Sequence, residues 1–219
     1  MAARPRNGPD RSDSATLVLA DEHPTCRVLG PGDRYGIWVQ GCPLTCRECV
    51  SPQWLPFDAG TPHPVEDVAA RVVQHARDGL TISGGEPFSQ AEALAELIDR
   101  IRTVRDLSVM SYTGHTLEYL RTRGTQGQQG LLDRLDLLVD GPYLPKRHAD
   151  LAWRGSDNQR IHLLTDRHPS HEIPDRGVGL QVELTAERDV HWMGVPPTRG
   201  FLTKWKSLLE HGIQDPEGQ

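Results

Sequence analysis

The stretch "GCPLTCRECV", residues 41–50, places three of the chain's four cysteines, Cys42, Cys46 and Cys49, in ten positions. This C-x3-C-x2-C spacing is too tight for a disulfide framework and is typical of metal binding or redox chemistry. A structural zinc site normally has four protein ligands, and a four-iron cluster normally takes four cysteines. Three thiolates predict a cluster with one iron open to a small molecule. The alternative is that Cys26 supplies a fourth ligand, although a buried free cysteine is the favoured interpretation there.

A second motif, "TISGGEPFSQ" (residues 81–90), follows at the end of a predicted strand. Its paired glycines, Gly84 and Gly85, let backbone approach a ligand closely, and Glu86 and Pro87 come next. The carboxylate of Glu86 is suited to hold an ammonium group. Taken alone, the motif indicates only a strand-to-helix loop. Its place 35 residues after Cys49, in the same α/β pattern, favours a functional role.

The composition is that of an ordinary globular chain, with 219 residues, 37% apolar and 25% charged side chains. A net charge of −6 offers no broad cationic surface, so we expect no nucleic-acid partner. No apolar run approaches the roughly 20 residues that cross a bilayer, so we expect no membrane association. Residues 1–14 are polar and lack an apolar signal region, which predicts a disordered leader and a cytoplasmic, thiol-reducing location.

Strand and helix patterns alternate along the chain, which predicts an α/β fold with a mostly parallel sheet. We expect the core at residues 15–166, a C-terminal extension packed on it at 167–212 and a tail at 213–219. Residues 125–130 are expected to form a mobile connector. The predicted helices are 64–77, 90–104, 115–124 and 200–212, and the predicted strands are 15–21, 35–41, 79–85, 106–114, 136–141, 159–166, 179–186 and 189–195.

The cysteine triplet together with the GGEP segment resembles the radical S-adenosylmethionine superfamily. The resemblance implies a partial (β/α)6 barrel in which the three cysteines hold a 4Fe-4S cluster. It also implies that the open iron binds the amino and carboxylate groups of S-adenosylmethionine, while the GGEP segment contacts the methionine ammonium. Reductive cleavage of this cofactor yields a 5′-deoxyadenosyl radical.

Further stretches are similar to the activating enzymes of anaerobic ribonucleotide reductase. They are "GPGDR" (30–34), "SPQW" (51–54), "SYTGHTLEYL" (111–120), "LLVDGPY" (137–143) and "LAWRGSDNQRIHLL" (151–164). This resemblance implies a glycyl-radical enzyme as partner and a flavodoxin or ferredoxin as electron donor. It implies that Ser111 and Thr113 lie along the ribose or carboxylate of the cofactor. Asp140 would sit beside its methionine moiety, and Arg154 and Asn158 in a polar loop at the opening.

The sequence departs from that family's pattern at Glu48, where glycine is frequent, and at Ser51. These departures and the C-terminal extension favour an alternative, a stand-alone radical enzyme that modifies a small molecule or peptide. A third hypothesis is a non-enzymatic metal-binding module with Cys26 as its fourth ligand.

Overall fold

The computed structural model describes residues 15–44, 46–184 and 190–201, together with Lys204 and Ser207. Its helices are α1 (Val65–His75), α2 (Ala91–Arg102), α3 (Leu117–Arg123) and α4 (Gln126–Leu132). Its strands are β1 (Thr16–Cys26), β2 (Arg34–Val39), β3 (Thr61–Pro64), β4 (Gly79–Gly84), β5 (Ser108–Tyr112), β6 (Leu137–Asp140), β7 (His148–Leu151), β8 (Arg154–Ser156), β9 (Arg160–Leu163), β10 (Leu180–Leu184) and β11 (Val190–Gly194). The fold is therefore α/β, as the alternation of patterns predicts.

Seven strands form one mixed sheet in the order β3-β1-β2-β4-β5-β6-β9. The pairs β2·β4, β4·β5 and β5·β6 are parallel, whereas β1 pairs with β2 and β3, and β9 with β6, in antiparallel register. The expectation of a mostly parallel sheet thus holds for its four central strands only. The segment between β1 and β2 is too short for the crossover that parallel neighbours require, so β1 returns antiparallel. Within the described residues the sheet is open, and β3 and β9 are its two edges.

The helices cover one face of this sheet. The apolar stripes predicted for the first two helices are confirmed, because Val65, Val68 and Val72 of α1 and Leu94 and Leu97 of α2 are fully buried. They pack against strand residues that alternate in sequence with those of the opposite face. No helix in the described part of the chain is long and apolar enough to span a bilayer.

The opposite face carries a second, smaller set of packed residues. Trp38 of β2 lies there with Cys26, and both pack against Met193 of β11. Met110 of β5 packs against Trp153 on the same side. A hairpin of β10 and β11, which we call the C-terminal hairpin, therefore lies over the face that the helices leave uncovered.

Two predictions about local structure need correction or fall outside the described residues. The connector expected at residues 125–130 is wrong, because α4 begins at Gln126. Thr125 and Gln128 form a capping box that satisfies the free backbone N–H groups of this helix start, and Leu131 and Leu132 anchor its end in the core. The expected leader, the tail and most of the helix at 200–212 lie outside the described residues.

A fully buried arginine holds the amino ends of the parallel strands together. The guanidinium of Arg34 donates to Thr81 Oγ1 at 2.7 Å, to the Leu80 carbonyl at 2.8 Å and to the Ser108 carbonyl at 3.0 Å. Burial lowers its pKa to about 10, so the side chain is still charged at neutral pH. The charge is tolerated because its donors are paired within the fold.

Arg34→Leu is expected to destabilise the protein by about 3 kcal/mol or more, because it leaves buried carbonyls of β4 and β5 without donors. Urea unfolding followed by circular dichroism measures this change. Arg100→Gln is the control, since Arg100 lies on the exposed side of α2 and, within the described residues, forms an ion pair with Glu96. A loss below 1 kcal/mol for the Leu variant would contradict the role assigned to Arg34.

Candidate functional site

The cysteine loop begins where β2 ends. Gly41, whose φ of 91° lies in the left-handed region, donates its N–H to the Trp54 carbonyl at 2.9 Å. The N–H of Cys42 donates to the Leu55 carbonyl at 3.0 Å. These two hydrogen bonds close the loop on a short 3-10 turn, Pro52–Trp54, so that its two ends are held side by side.

The GGEP segment is bonded directly to this loop. Gly85 N–H donates to the Val39 carbonyl at 2.8 Å, and Glu86 N–H donates to the Gly41 carbonyl at 2.9 Å. A Cβ on Gly84 would clash with the Val39 backbone, and one on Gly85 would clash with the Gly41 carbonyl. The paired glycines are therefore required for one backbone to approach another, and they attach the cysteine loop to the end of β4.

Glu86 ties the end of β4 to the loop after β5. Its buried carboxylate accepts hydrogen bonds from Phe88 N–H at 3.0 Å, Thr113 Oγ1 at 2.9 Å and Gly114 N–H at 2.8 Å. Burial is the main cause that raises the pKa of Glu86, while these donors act in the opposite direction. Contact of Glu86 with a ligand ammonium stays a prediction.

The three loop thiols influence one another electrostatically. Burial is the main cause that raises the pKa of Cys42 to about 11, and the nearby Glu86, Cys46 and Cys49 act in the same direction. Burial also raises the pKa of Cys49. The raised pKa values keep the thiols of Cys42 and Cys49 protonated at neutral pH, so loading iron on these two residues must release protons.

The donor chemistry suits an iron–sulfur cluster, because three thiols stand in one loop. In the described residues, however, no three His, Cys, Asp or Glu side chains converge as a metal site. The Cys42 thiol instead lies 3.8 Å from the Leu44 carbonyl. Ligation by Cys42, Cys46 and Cys49 therefore stays a prediction.

Cys26 lies elsewhere. It is fully buried beside Val28, Leu29 and Trp38 at the end of β1, and burial raises the pKa of its thiol. This environment is that of the free, buried cysteine that the sequence favours.

The other residues predicted to contact a cofactor are divided between two places. Thr113 joins Glu86, as described above, and Ser111 donates to the Tyr112 carbonyl at 3.1 Å. Asp140 accepts from Leu117 N–H at 2.6 Å, which caps α3, and lies 3.1 Å from His162. Asn158 donates to the Pro142 carbonyl at 2.8 Å and lines, with Asp140, a separate cavity of about 610 Å³.

Arg154 of β8 bonds to carbonyl groups that are near it in the sequence. Its guanidinium donates to the Gln159 carbonyl at 3.3 Å and to the Ala152 carbonyl at 3.4 Å. It therefore braces the loop that carries Asn158 from within.

A cavity of about 360 Å³ lies on the face of the sheet opposite the helices. Cys49 and Gly84 both line it, and so do residues 190–196 of the C-terminal hairpin and the segment after it. Two of its polar atoms, Tyr112 Oη and Trp153 Nε1, are buried without a hydrogen-bond partner in the described part of the chain. Buried polar groups of this kind need a hydrogen-bond partner, which an ordered water or a ligand can supply.

The sequence analysis does not predict this cavity. Its aromatic lining residues are Trp38, Trp54, Tyr112, Tyr143, Trp153 and Trp192. No local pattern links them, and they come from six well-separated positions in the chain. The only signal in the sequence is the presence of five tryptophans in a chain with 5% aromatic residues.

Comparison with known proteins gives a match to the family model of the 4Fe-4S single cluster domain over residues 28–162. A protein of Pasteurella multocida, named anaerobic ribonucleoside-triphosphate reductase-activating protein, is 34% identical over 154 residues, which are 65% of this chain and 95% of that protein. Proteins of the same name from Vibrio cholerae and Escherichia coli K12 are 33% and 30% identical, and each match covers 65% of this chain and 96% of the relative. The C-terminal hairpin lies beyond the residues that the family model matches.

Gly85→Ala is expected to destabilise the protein by about 2 kcal/mol or more, because the new Cβ forces the Gly41 carbonyl and the cysteine loop to move. Gly130→Ala in α4 is the matched control, since its Cβ meets nothing closer than Arg134 Nη1 at 3.6 Å. That control is expected to raise stability by about 0.5–1 kcal/mol. Urea unfolding of both variants measures the difference, and equal effects would refute the close-approach argument.

The pH dependence of stability tests the ionisation of Glu86. A raised pKa means that the folded chain keeps this proton above pH 4.5, where the unfolded chain has lost it. The stabilisation is complete below the unfolded pKa and is lost as the pH rises through the folded pKa. Wild type is therefore expected to lose stability relative to Glu86→Gln over that range. Urea unfolding between pH 4.5 and 8 measures it, and the opposite slope would mean that the three donors lower the pKa instead.

Proposed function

The chain belongs to the 4Fe-4S single cluster domain family, and from that premise we propose that it is a radical S-adenosylmethionine enzyme. We propose further that it generates a glycyl radical on an anaerobic ribonucleotide reductase or a similar partner. The names of its relatives, anaerobic ribonucleoside-triphosphate reductase-activating proteins, support this activase role.

One observation carries the proposal: the cysteine loop and the GGEP segment are a single hydrogen-bonded unit. Glu86 N–H donates to the Gly41 carbonyl at 2.9 Å, one residue before the first cysteine. A cluster held by the loop would therefore stand next to the backbone of Gly85 and Glu86. Such an arrangement suits a cofactor that must reach an iron and a polar backbone segment together.

In this proposal Cys42, Cys46 and Cys49 hold the cluster, which with S-adenosylmethionine supplies a strongly oxidising carbon radical when reduced. The chain's own residues bind and orient. Gly85 and Pro87 form the surface against which the cofactor lies. The Glu86 carboxylate holds this surface to the loop after β5. The aromatic lining of the cavity excludes water from the reacting atoms. Further contacts to the cofactor are proposed for Gly84, Ser111, Thr113, Asp140, Arg154 and Asn158.

The charged residues that line the cavity indicate which class of substrate donates the hydrogen atom. Its described lining includes no lysine or arginine, and its Asp21 and His191 pair with each other at 2.7 Å. Nucleotide phosphates are usually bound by cationic side chains or by backbone N–H groups. The lack of lysine and arginine in the described lining therefore favours a glycine in a peptide segment over a nucleotide. The electron donor proposed is a flavodoxin or ferredoxin, and the proposed location is the cytoplasm.

The fold that goes with this function is a partial (β/α)6 barrel. The four parallel strands β2, β4, β5 and β6 have their carboxyl ends at one edge, where the cysteine loop and the GGEP segment also lie. This common edge supports the barrel assignment. The proposed core is residues 15–166.

A specific observation favours the second candidate function, a stand-alone radical enzyme for a small molecule or peptide. Residues 190–196 line the cavity, which has a volume of about 360 Å³, so that a small substrate fits this space more readily than a loop of a large partner. The two functions differ in where the hydrogen atom comes from.

The first test measures 5′-deoxyadenosine by mass spectrometry from anaerobically reconstituted protein given S-adenosylmethionine and dithionite. Wild type is expected to form it, and Cys42→Ala is expected to form at least a hundredfold less because it loses a cluster ligand. Adding an anaerobic ribonucleotide reductase is then expected to give the doublet of a glycyl radical by electron paramagnetic resonance.

Absence of 5′-deoxyadenosine from protein with a full complement of iron and sulfide would contradict radical chemistry. Formation of 5′-deoxyadenosine beside a radical-silent reductase would favour the stand-alone enzyme. Equal product from wild type and Cys42→Ala would exclude the cysteine loop as the cluster site.

A further inference from the structure

The cysteine loop contains a backbone conformation that its residue does not favour. Glu48, between Cys46 and Cys49, has a φ of 54°, in the left-handed region. A side chain there brings Cβ close to the following carbonyl oxygen, and glycine avoids that cost. A non-glycine residue persists in such a conformation when its surroundings hold it there.

Arg199 is the group that holds Glu48. Its Nε donates to Glu48 Oε2 at 2.9 Å, and its Nη2 donates to Glu48 Oε1 at 2.6 Å. This two-pronged geometry fixes the orientation of the carboxylate as well as its distance. A pair on the surface contributes little to global stability, so its effect is expected to be local to the loop.

Arg199 is in turn placed by the C-terminal hairpin, five residues after its last strand. Met193 is buried against Trp38 and Cys26, and His191 Nε2 lies 2.7 Å from Asp21 Oδ2. Gln181 Nε2 donates to the Thr25 carbonyl at 2.9 Å. These contacts anchor the hairpin on the end of β1, so that the following segment reaches the cysteine loop from a fixed base.

We propose that Arg199 is a positioning residue for the cysteine loop, which it holds through Glu48 in the conformation that presents Cys46 and Cys49. By this inference the C-terminal segment contributes to the candidate site. The relevance of the loop to catalysis rests on the proposed function. The interaction between Arg199 and Glu48 is a property of the protein chain alone.

A double-mutant cycle tests whether Arg199 positions the cysteine loop through Glu48. Arg199→Ala removes the guanidinium and leaves the strained Glu48 unsupported. Glu48→Gly removes the strain and the carboxylate together, so a glycine loop has no need of Arg199. The cycle therefore predicts that Arg199→Ala perturbs the loop in the wild-type background and has no effect in the Glu48→Gly background.

Two readouts follow the loop. The first is the rate at which iodoacetamide alkylates Cys46 and Cys49 in metal-free protein, measured by peptide mass spectrometry. The second is the half-life of the reconstituted cluster in air, followed by its visible absorbance. Arg199→Ala is expected to change each rate about threefold or more, and Glu48→Gly/Arg199→Ala is expected to match Glu48→Gly. Arg100→Ala, which breaks an ion pair on α2, is the control and is expected to change neither.

Equal alkylation rates in wild type and Arg199→Ala would overturn the proposal. So would an equal effect of Arg199→Ala in both backgrounds, because it would mean that Arg199 acts through something other than Glu48. Failure of wild type to bind a cluster would count against the proposed function only. The alkylation rates would still decide whether Arg199 positions the loop.

Discussion

Two glycines, Gly41 and Gly85, allow the ends of β2 and β4 to lie in backbone contact. No residue with a Cβ fits at Gly85 while the Gly41 carbonyl accepts the N–H of Glu86. This contact fixes the position at which the cysteine loop leaves β2. It also fixes the path of the chain from β4 to α2. Both segments that carry the candidate chemistry therefore depend on one close approach between backbones.

Two buried polar side chains then fix the parallel strands at opposite ends. Arg34 joins β2 to β4 and β5 at their amino ends, and Glu86 joins β4 to the loop after β5 at the carboxyl end. Because the hydrogen-bonding groups of both side chains are paired, the cost of burying them is offset by directional hydrogen bonds. The result is a stiff sheet edge on which a mobile cofactor or cluster would have a defined position. Rigid support of this kind is what a site needs to orient a reactive group.

The C-terminal hairpin gives this chain a feature that lies outside the region matched by the family model. It covers the cavity that Cys49 and Gly84 line, and the segment after it brings Arg199 to Glu48. Glu48 is also the position at which the cysteine loop departs from the pattern of the activases. This departure from the pattern is therefore matched by a feature of the C-terminal extension, because the carboxylate of Glu48 pairs with Arg199.

Patterns along the chain predict the α/β class, the apolar stripes of α1 and α2, and the two motifs at the carboxyl ends of strands, because periodicity and glycine or cysteine spacing are local properties. The sequence also indicates that Cys26 is a buried free thiol. The sequence does not predict that the outer strands run antiparallel, that Asp140 accepts the Leu117 N–H at the start of α3, or that an aromatic cavity lies beneath the hairpin. These depend on which segments meet across the sheet. Contacts such as that between Arg199 and Glu48 join residues 151 positions apart, and no pattern along the chain encodes such a distance.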